Sequence, residues 1–274
     1  MSNYFDYLNR LHTKPIRPDD EFPTNNAWIY TGIYETLRQM NGKSKEIGYY
    51  DLAVLKSRVS PNTYTRHPEP YRFKPSMTPV SHDEIIGLAM VDYYEANHIA
   101  VISQVNNGYF CDISSFEEKP KFSFLDKVIA LYLYLYRVLV KKESERKITK
   151  QYPALFGIFF THRRQYRYLY EALAKNKPHL LNTLAWASGR LIDVLTNSVS
   201  PLHYFSSLRA EQRGNRGFLF NTVFKFMERS IMKKYGTRPL EKMLEAYLLN
   251  GTGSVDKEHP WLKEINEYYS KKGE

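Results

Sequence analysis

The sequence predicts an all-α fold with little or no sheet, built as a series of helical hairpins. Apolar residues recur mainly at the three- and four-residue spacing that a buried helix face requires. Prolines and glycines stand where helices begin and end: Pro153 and Pro239 suit a first helical turn, and Gly236 suits a C-terminal cap. No Gly/Ser-rich linker, low-complexity tract or strict repeat divides the 274 residues. We therefore expect a single domain over residues 1–274.

The first predicted helix follows Pro23 and ends at Asn41-Gly42. Its N-terminal capping residues are the polar segment 24–26. Its apolar face is formed by Ile29, Ile33, Leu37 and Met40. A second helix is predicted from about residue 47 to residue 59.

The segment 60–80 is predicted to be a long loop, because it contains five prolines. Loops of this length in a compact domain are usually functional or disordered. A helix resumes over 81–97, where Ser81 and Glu84 match the spacing of a capping box. Residues 98–122 remain ambiguous between a short helix and a strand around Ile99 to Ile102.

Further helices are predicted over 123–142, 153–175, 178–198, 201–211, 217–235, 239–250 and 260–270. The stretch 128–140 is the most apolar in the chain. Its thirteen residues would rise about 20 Å as a helix, less than the roughly 30 Å of a bilayer core. We therefore expect a buried helix at the centre of the domain and no membrane span.

Composition limits the class of protein further. Thirty-nine Lys and Arg residues against 29 Asp and Glu residues leave a net charge of +10, and aromatic residues make up 15% of the chain. Such an aromatic content excludes a disordered chain. Cys111 is the single cysteine, which excludes an internal disulfide framework and a multi-thiolate zinc site. The N-terminus has no secretory signal pattern, so we expect a soluble protein in a reducing compartment.

The segment 58–87 carries the densest set of chemically useful side chains. They are Arg58, Tyr64, Arg66, His67, Arg72, His82, Asp83 and Glu84. A helix N-terminus provides positive potential and N–H donors for an anionic or hydroxyl-rich ligand. An acidic side chain near His82 and Arg66 could act as a general acid or base, which makes Asp83, His82 and Arg66 the candidate catalytic residues. The competing explanation is structural. The capping box accounts for Glu84 and the helix dipole for Asp83, and His67 and His82 could be partly buried histidines that bond loop carbonyls.

Other candidate sites have less support in the sequence. Asn25 and Asn26 could clamp a ligand, although capping explains both. His203 and His259 have no carboxylate at metal-ligand spacing, so no metal site is predicted. No nucleotide-binding or hydrolase motif occurs, and no cofactor is predicted.

A basic surface is predicted on the helix that contains Thr161 to Tyr170. Arg163 and Arg167 share one face, and Tyr166 and Tyr170 share an adjoining one. Arginine with interleaved aromatic residues suits phosphates and stacked bases. The alternative is a solvated basic face with tyrosines packed along its edge.

Four stretches, taken together, resemble a group of uncharacterised tailed-bacteriophage proteins whose pattern is similar to the (α/α) toroids of six-hairpin glycosidases and polysaccharide lyases. The stretches are Phe22 to Thr31, Thr63 to Pro68, Ser81 to Gly87, and His259-Pro260-Trp261. The resemblance implies a complete or partial toroid with a ligand cleft at one end of the helical barrel. It places around that cleft Asn25, Asn26, Tyr30, Arg66, His67, His82 and Asp83, and Tyr64 belongs to the same loop. A glycosidase needs two carboxylates across the scissile bond, and the sequence nominates Asp83 without a second.

Three functions follow as hypotheses. The first is a non-catalytic bacteriophage accessory protein, either a virion component or a factor that binds a host protein. The second is a carbohydrate-directed toroid that binds or cleaves a polysaccharide. The third is nucleic-acid binding through the basic surface. In each case we expect the protein in the host cytoplasm or in the virion, with no membrane partner.

Overall fold

The computed structural model describes residues 27–43, 82–91, 124–143, 162–174, 178–214, 217–252 and 255–273. These residues are mostly helical and contain no strand, which confirms the all-α prediction for the described ranges. The helices are α1 (Ala27–Met40), α2 (His82–Met90), α3 (Phe124–Leu135) with a π-helical turn (Tyr136–Val140), α4 (His162–Leu173), α5 (Leu180–Leu195), α6 (Pro201–Gln212), α7 (Phe218–Tyr235), α8 (Pro239–Thr252) and α9 (Pro260–Lys272). Among the described residues, no helix is sufficiently long and apolar to cross a membrane.

Local chemistry places several of these helix ends where the sequence predicts them. Ser200 caps α6 by accepting from the backbone N–H of His203, and Pro201 follows in the first turn. Gly236 ends α7 with a positive φ of 66°, a conformation that glycine adopts without strain. The predicted helix over 47–59, the loop 60–80 and the ambiguous segment 98–122 lie outside the described residues.

The chain divides into two compact units. The first contains residues 1–114 and 240–274, and the second contains residues 115–239. The sequence predicts a single domain over residues 1–274, and this expectation stays a prediction.

The core of the first unit is built on α1, which packs against α2 and α9. Helices α1 and α2 approach closely at two glycines: a Cβ atom on Gly32 would lie 2.9 Å from the carbonyl oxygen of Gly87. The C-terminal end of α1 is tied to α9 through the buried Glu264. Its carboxylate accepts hydrogen bonds from Asn41 Nδ2 and Lys43 Nζ, both at 2.8 Å. A polar clamp therefore fixes α9 beside the end of α1.

The core of the second unit is an aromatic stack in which α5 packs against α4 and α7. Trp186 stacks on Tyr168 at 4.7 Å and on Phe220 at 5.0 Å between ring centroids. Phe224 continues the stack to Tyr204. Some of the many aromatic residues of this chain therefore serve to pack the core of the second unit.

A buried polar group lies beside this stack. Arg190 donates to Gln165 Oε1 at 3.0 Å and pairs with Asp193 at 2.9 Å. The amide of Gln165 lies directly against the backbone of α5 at Gly189, where even a Cβ atom would overlap it. Glycine at this position lets α4 and α5 approach each other.

The apolar helix around residues 128–140 is not the buried central helix that its composition predicts. Its described apolar side chains are exposed, both in α3 and in the π turn, and so is Leu125 in the preceding turn of α3. That prediction was wrong because apolarity indicates that a surface is to be covered, without specifying what covers it.

Candidate functional site

The predicted site residues that the structure describes in the first unit lead to an aromatic cluster. Tyr30 of α1 contacts three rings edge-on: Tyr247 of α8, His259 at the N-cap of α9, and Trp261 in the first turn of α9. The closest of these is Trp261, whose ring centroid lies 4.9 Å from that of Tyr30. Three elements that are distant in sequence therefore meet at Tyr30.

Trp261 ties this cluster together with a hydrogen bond as well as with ring contacts. Its Nε1 donates to the backbone carbonyl oxygen of Tyr30 at 2.9 Å. Both side chains are buried, with 0% of Trp261 and 4% of Tyr30 exposed. A buried indole N–H needs an acceptor, and the carbonyl supplies one while fixing α9 against α1.

His259 is held in its neutral form. Burial lowers the pKa of its imidazole to about 4, although the nearby Asp256 acts in the opposite direction. Its Nδ1 accepts the backbone N–H of Trp261 at 3.2 Å, so Nδ1 carries no proton and Nε2 carries one. His259 therefore serves as the N-cap of α9, a role that protonation of Nδ1 would abolish.

Tyr247 is the member of the cluster that connects it to Asp83. Burial raises the pKa of the Tyr247 phenol, and electrostatic interactions with Tyr30 and with Asp83 raise it further. The phenol therefore keeps its proton at neutral pH. Asp83 itself lies half-buried in the first turn of α2. The Asp83 carboxyl is therefore close enough to Tyr247 to act on its phenol electrostatically.

The structure brings together only part of the predicted site. Tyr30 and Asp83 both lie by Tyr247, and the backbone of His82 begins α2. The side chain of His82 is outside the described set. The remaining predicted residues, Arg66, His67, Tyr64, Asn25 and Asn26, lie outside the described residues. The catalytic and ligand-binding assignments stay predictions.

Two residues near the cluster were missed by reasoning from the sequence. Tyr247 lies at a helical spacing typical of core residues, so nothing in its local pattern distinguishes it. Asp256 precedes α9, where its Oδ1 accepts the backbone N–H of Glu258 at 2.9 Å. The one signal in the sequence was the motif His259-Pro260-Trp261, which carried the resemblance but had no chemistry assigned to it.

The predicted basic surface lies on α4 in the second unit. Arg167 Nε forms an ion pair with Glu171 at 3.1 Å, and the ring of Tyr166 lies 5.8 Å from that of His203. Glu171 also accepts from Asn182 and from the backbone N–H of His179. The side chain of Arg163 is outside the described set. The positive charge on the described part of this surface is therefore partly neutralised by the carboxylate of Glu171.

Within the described ranges, no three His, Cys, Asp or Glu side chains converge in a way that could hold a metal ion. The chemistry that the described cluster offers is hydrogen bonding, from a protonated phenol at Tyr247 and a neutral imidazole at His259.

Comparison of the chain with protein-family models, with curated proteins and with solved structures finds no match in any of the three.

Proposed function

We propose that the protein is a non-catalytic accessory protein of a tailed bacteriophage, either a component of the virion or a factor that binds a host protein. The observation that supports this function is the burial of Tyr30 and Trp261. A polysaccharide cleft presents aromatic faces to its ligand, whereas these two rings are occupied by each other and by the Tyr30 carbonyl. Their arrangement is that of a core that positions α1, α8 and α9.

Assays of turnover test this proposal directly. The full-length protein is incubated with capsular polysaccharide and with peptidoglycan beside the Asp83→Ala variant, and the released reducing ends are measured. We expect no turnover from either protein. Turnover by the wild type that Asp83→Ala abolishes would refute the non-catalytic function. Mass spectrometry of purified virions then separates the two forms of the proposal, since a host-directed factor should be absent from particles.

A carbohydrate-directed toroid is the second candidate, and one observation favours it. Asp83 acts electrostatically on Tyr247, and Asp256 acts on His259. Each of these carboxyl groups therefore influences one ring of the cluster, and a glycosidase requires two carboxylates at a separation of about 5–10 Å. In this candidate the helices form a complete or partial (α/α) toroid with the cluster at its cleft.

The two candidates differ in what substitution of each carboxylate does. If the protein cleaves a glycan, Asp83→Asn and Asp256→Asn should each lower turnover by about a hundredfold or more while leaving glycan affinity nearly unchanged. Glu258→Gln is the matched control, because this exposed carboxylate lies on the same segment and pairs with Lys263 in solvent. Equal activity in all three variants would reject the carbohydrate-directed function.

Nucleic-acid binding has the least support of the three functions, because Arg167 is paired with Glu171. It predicts that affinity falls steeply as salt rises, in proportion to the number of phosphates contacted. Binding that does not change between low and physiological salt would reject it.

A further inference from the structure

The second unit presents an extended apolar face on α3 and the π turn that follows it, hereafter the α3 face. Nine large apolar side chains on this stretch are each between 37% and 66% exposed. They are Leu125, Val128, Ile129, Tyr132, Leu133, Leu135, Tyr136, Leu139 and Val140. Monomeric proteins rarely expose a contiguous apolar patch of more than a few hundred Å².

The nine side chains form one face. At about 100° per residue, the six that belong to α3 fall within an arc of about 160°. Tyr132 stacks on Tyr136 with ring centroids 6.3 Å apart, so the face continues from α3 into the π turn. The nine described side chains that form the face are therefore all uncharged, and the half-buried Arg137 of the π turn is paired with Glu143 at 3.8 Å.

Its spacing is that of a helix that packs along another helix. Leu125, Val128, Tyr132 and Leu135 follow one another at intervals of three, four and three residues, which is the a/d spacing of a coiled-coil seam. A seam of this kind pairs with a similar seam and excludes water along its length. Two copies of the same seam satisfy this requirement.

The apolar area also suits a pair of identical faces. The nine side chains are about half exposed on average, and at roughly 150 Å² for each large side chain this amounts to about 700 Å². A stable protein–protein interface buries about 800 Å² on each partner. Two copies would therefore cover nearly the area that a stable dimer needs.

We propose that the α3 face is the interface of a homodimer, in which two copies of the chain cover each other's face about a two-fold axis. A two-fold interface uses the same patch on both subunits, so a single self-complementary seam is sufficient. The absence of charge from the face matters, because the net charge of +10 would oppose association if like charges met at the interface.

Sedimentation equilibrium of the full-length protein over a wide range of concentration tests the proposal. We expect a reversible monomer–dimer equilibrium for the wild type. Tyr132→Lys places a charge at the centre of the face and Leu125→Lys places one near its start, and each should raise the dimer dissociation constant by about tenfold or more. Because both side chains are exposed, far-ultraviolet circular dichroism should be unchanged.

The matched control is Leu195→Lys on α5, where an exposed leucine lies in the same unit but off the α3 face. This variant should dimerise like the wild type. A wild type that stays monomeric at every concentration overturns the proposal. Binding of that monomer to anionic lipid vesicles, the other partner that an apolar face could take, would not rescue it. Dimers that persist in both face variants, or that are lost equally in Leu195→Lys, overturn it as well.

Discussion

Acidification should weaken the first unit through His259, the buried N-cap of α9. Its pKa in the folded protein is lowered from 6.5 to about 4 by burial. The unfolded chain therefore binds a proton at His259 in a pH range in which the folded chain does not. The contribution of His259 to stability is fully present above its unfolded pKa and is lost as the pH falls toward its folded pKa.

The size of the effect follows from that difference in pKa. One pKa unit corresponds to about 1.4 kcal/mol, so the full contribution is about 3 kcal/mol once the pH has fallen below 4. Between pH 7 and pH 5 the loss should be about 2 kcal/mol. The structural cause is specific, because protonation of Nδ1 removes the acceptor of the Trp261 backbone N–H and places a charge among the rings of Tyr30 and Trp261.

The assay compares urea unfolding of the wild type and of His259→Asn at pH 7 and at pH 5, followed by far-ultraviolet circular dichroism. Asparagine keeps a capping oxygen for the N-terminus of α9 but does not titrate in this range. Each protein is compared with itself at the two pH values, so the cost of replacing the imidazole ring cancels. We expect the wild type to lose about 2 kcal/mol more than His259→Asn.

The control is His179→Asn. His179 caps α5 in the same way, with Nδ1 accepting the backbone N–H of Leu181, but its side chain is exposed. This variant should keep the pH dependence of the wild type. Equal losses of stability in the wild type and in His259→Asn between the two pH values would refute the argument from burial.

Three further substitutions test the packing, each by urea unfolding. Gly32→Ala should destabilise by about 1–3 kcal/mol, because its Cβ would meet the backbone of α2; a gain in stability, as helix propensity alone predicts, would contradict this. Glu264→Gln should cost about 1.5–3 kcal/mol by weakening the clamp between α1 and α9, whereas the exposed Glu258→Gln should cost less than about 1 kcal/mol; equal costs would contradict the role of burial. Gly189→Ala should cost about 2 kcal/mol, because its Cβ would displace the Gln165 amide; an unchanged midpoint would show that Gln165 yields freely.

Much of the helical framework was predictable because helix ends are local. The helix predicted over 201–211 is found at Pro201–Gln212, and the one over 217–235 at Phe218–Tyr235. In both helices, residues at the boundary set where the helix begins or ends. Ser200 and Pro201 begin α6, and Gly236 terminates α7. Such effects involve a few adjacent residues, so their pattern is visible in the sequence.

The candidate site was predictable only in part. Asp83 and Tyr30 were identified from a helix start and from a resemblance, and both lie by Tyr247 in the structure. Asp256 lies only three residues before His259 and was missed because no chemistry had been assigned to the motif His259-Pro260-Trp261. Tyr247 was missed because its proximity to Asp83 depends on the tertiary packing of α8. Separations of more than 150 residues in the sequence leave no local pattern.

By itself, the sequence determined that the described chain is helical and where many of its helices begin and end, since helical spacing, caps and prolines act within one or two turns. Only the tertiary structure decided which apolar surfaces are buried. Tyr30 and Trp261 have become core, whereas the α3 face is exposed although it belongs to the most apolar stretch of the chain. The hydrophobic effect favours covering any apolar surface, but it has no direction. Which surface is covered depends on the elements that the fold brings beside it.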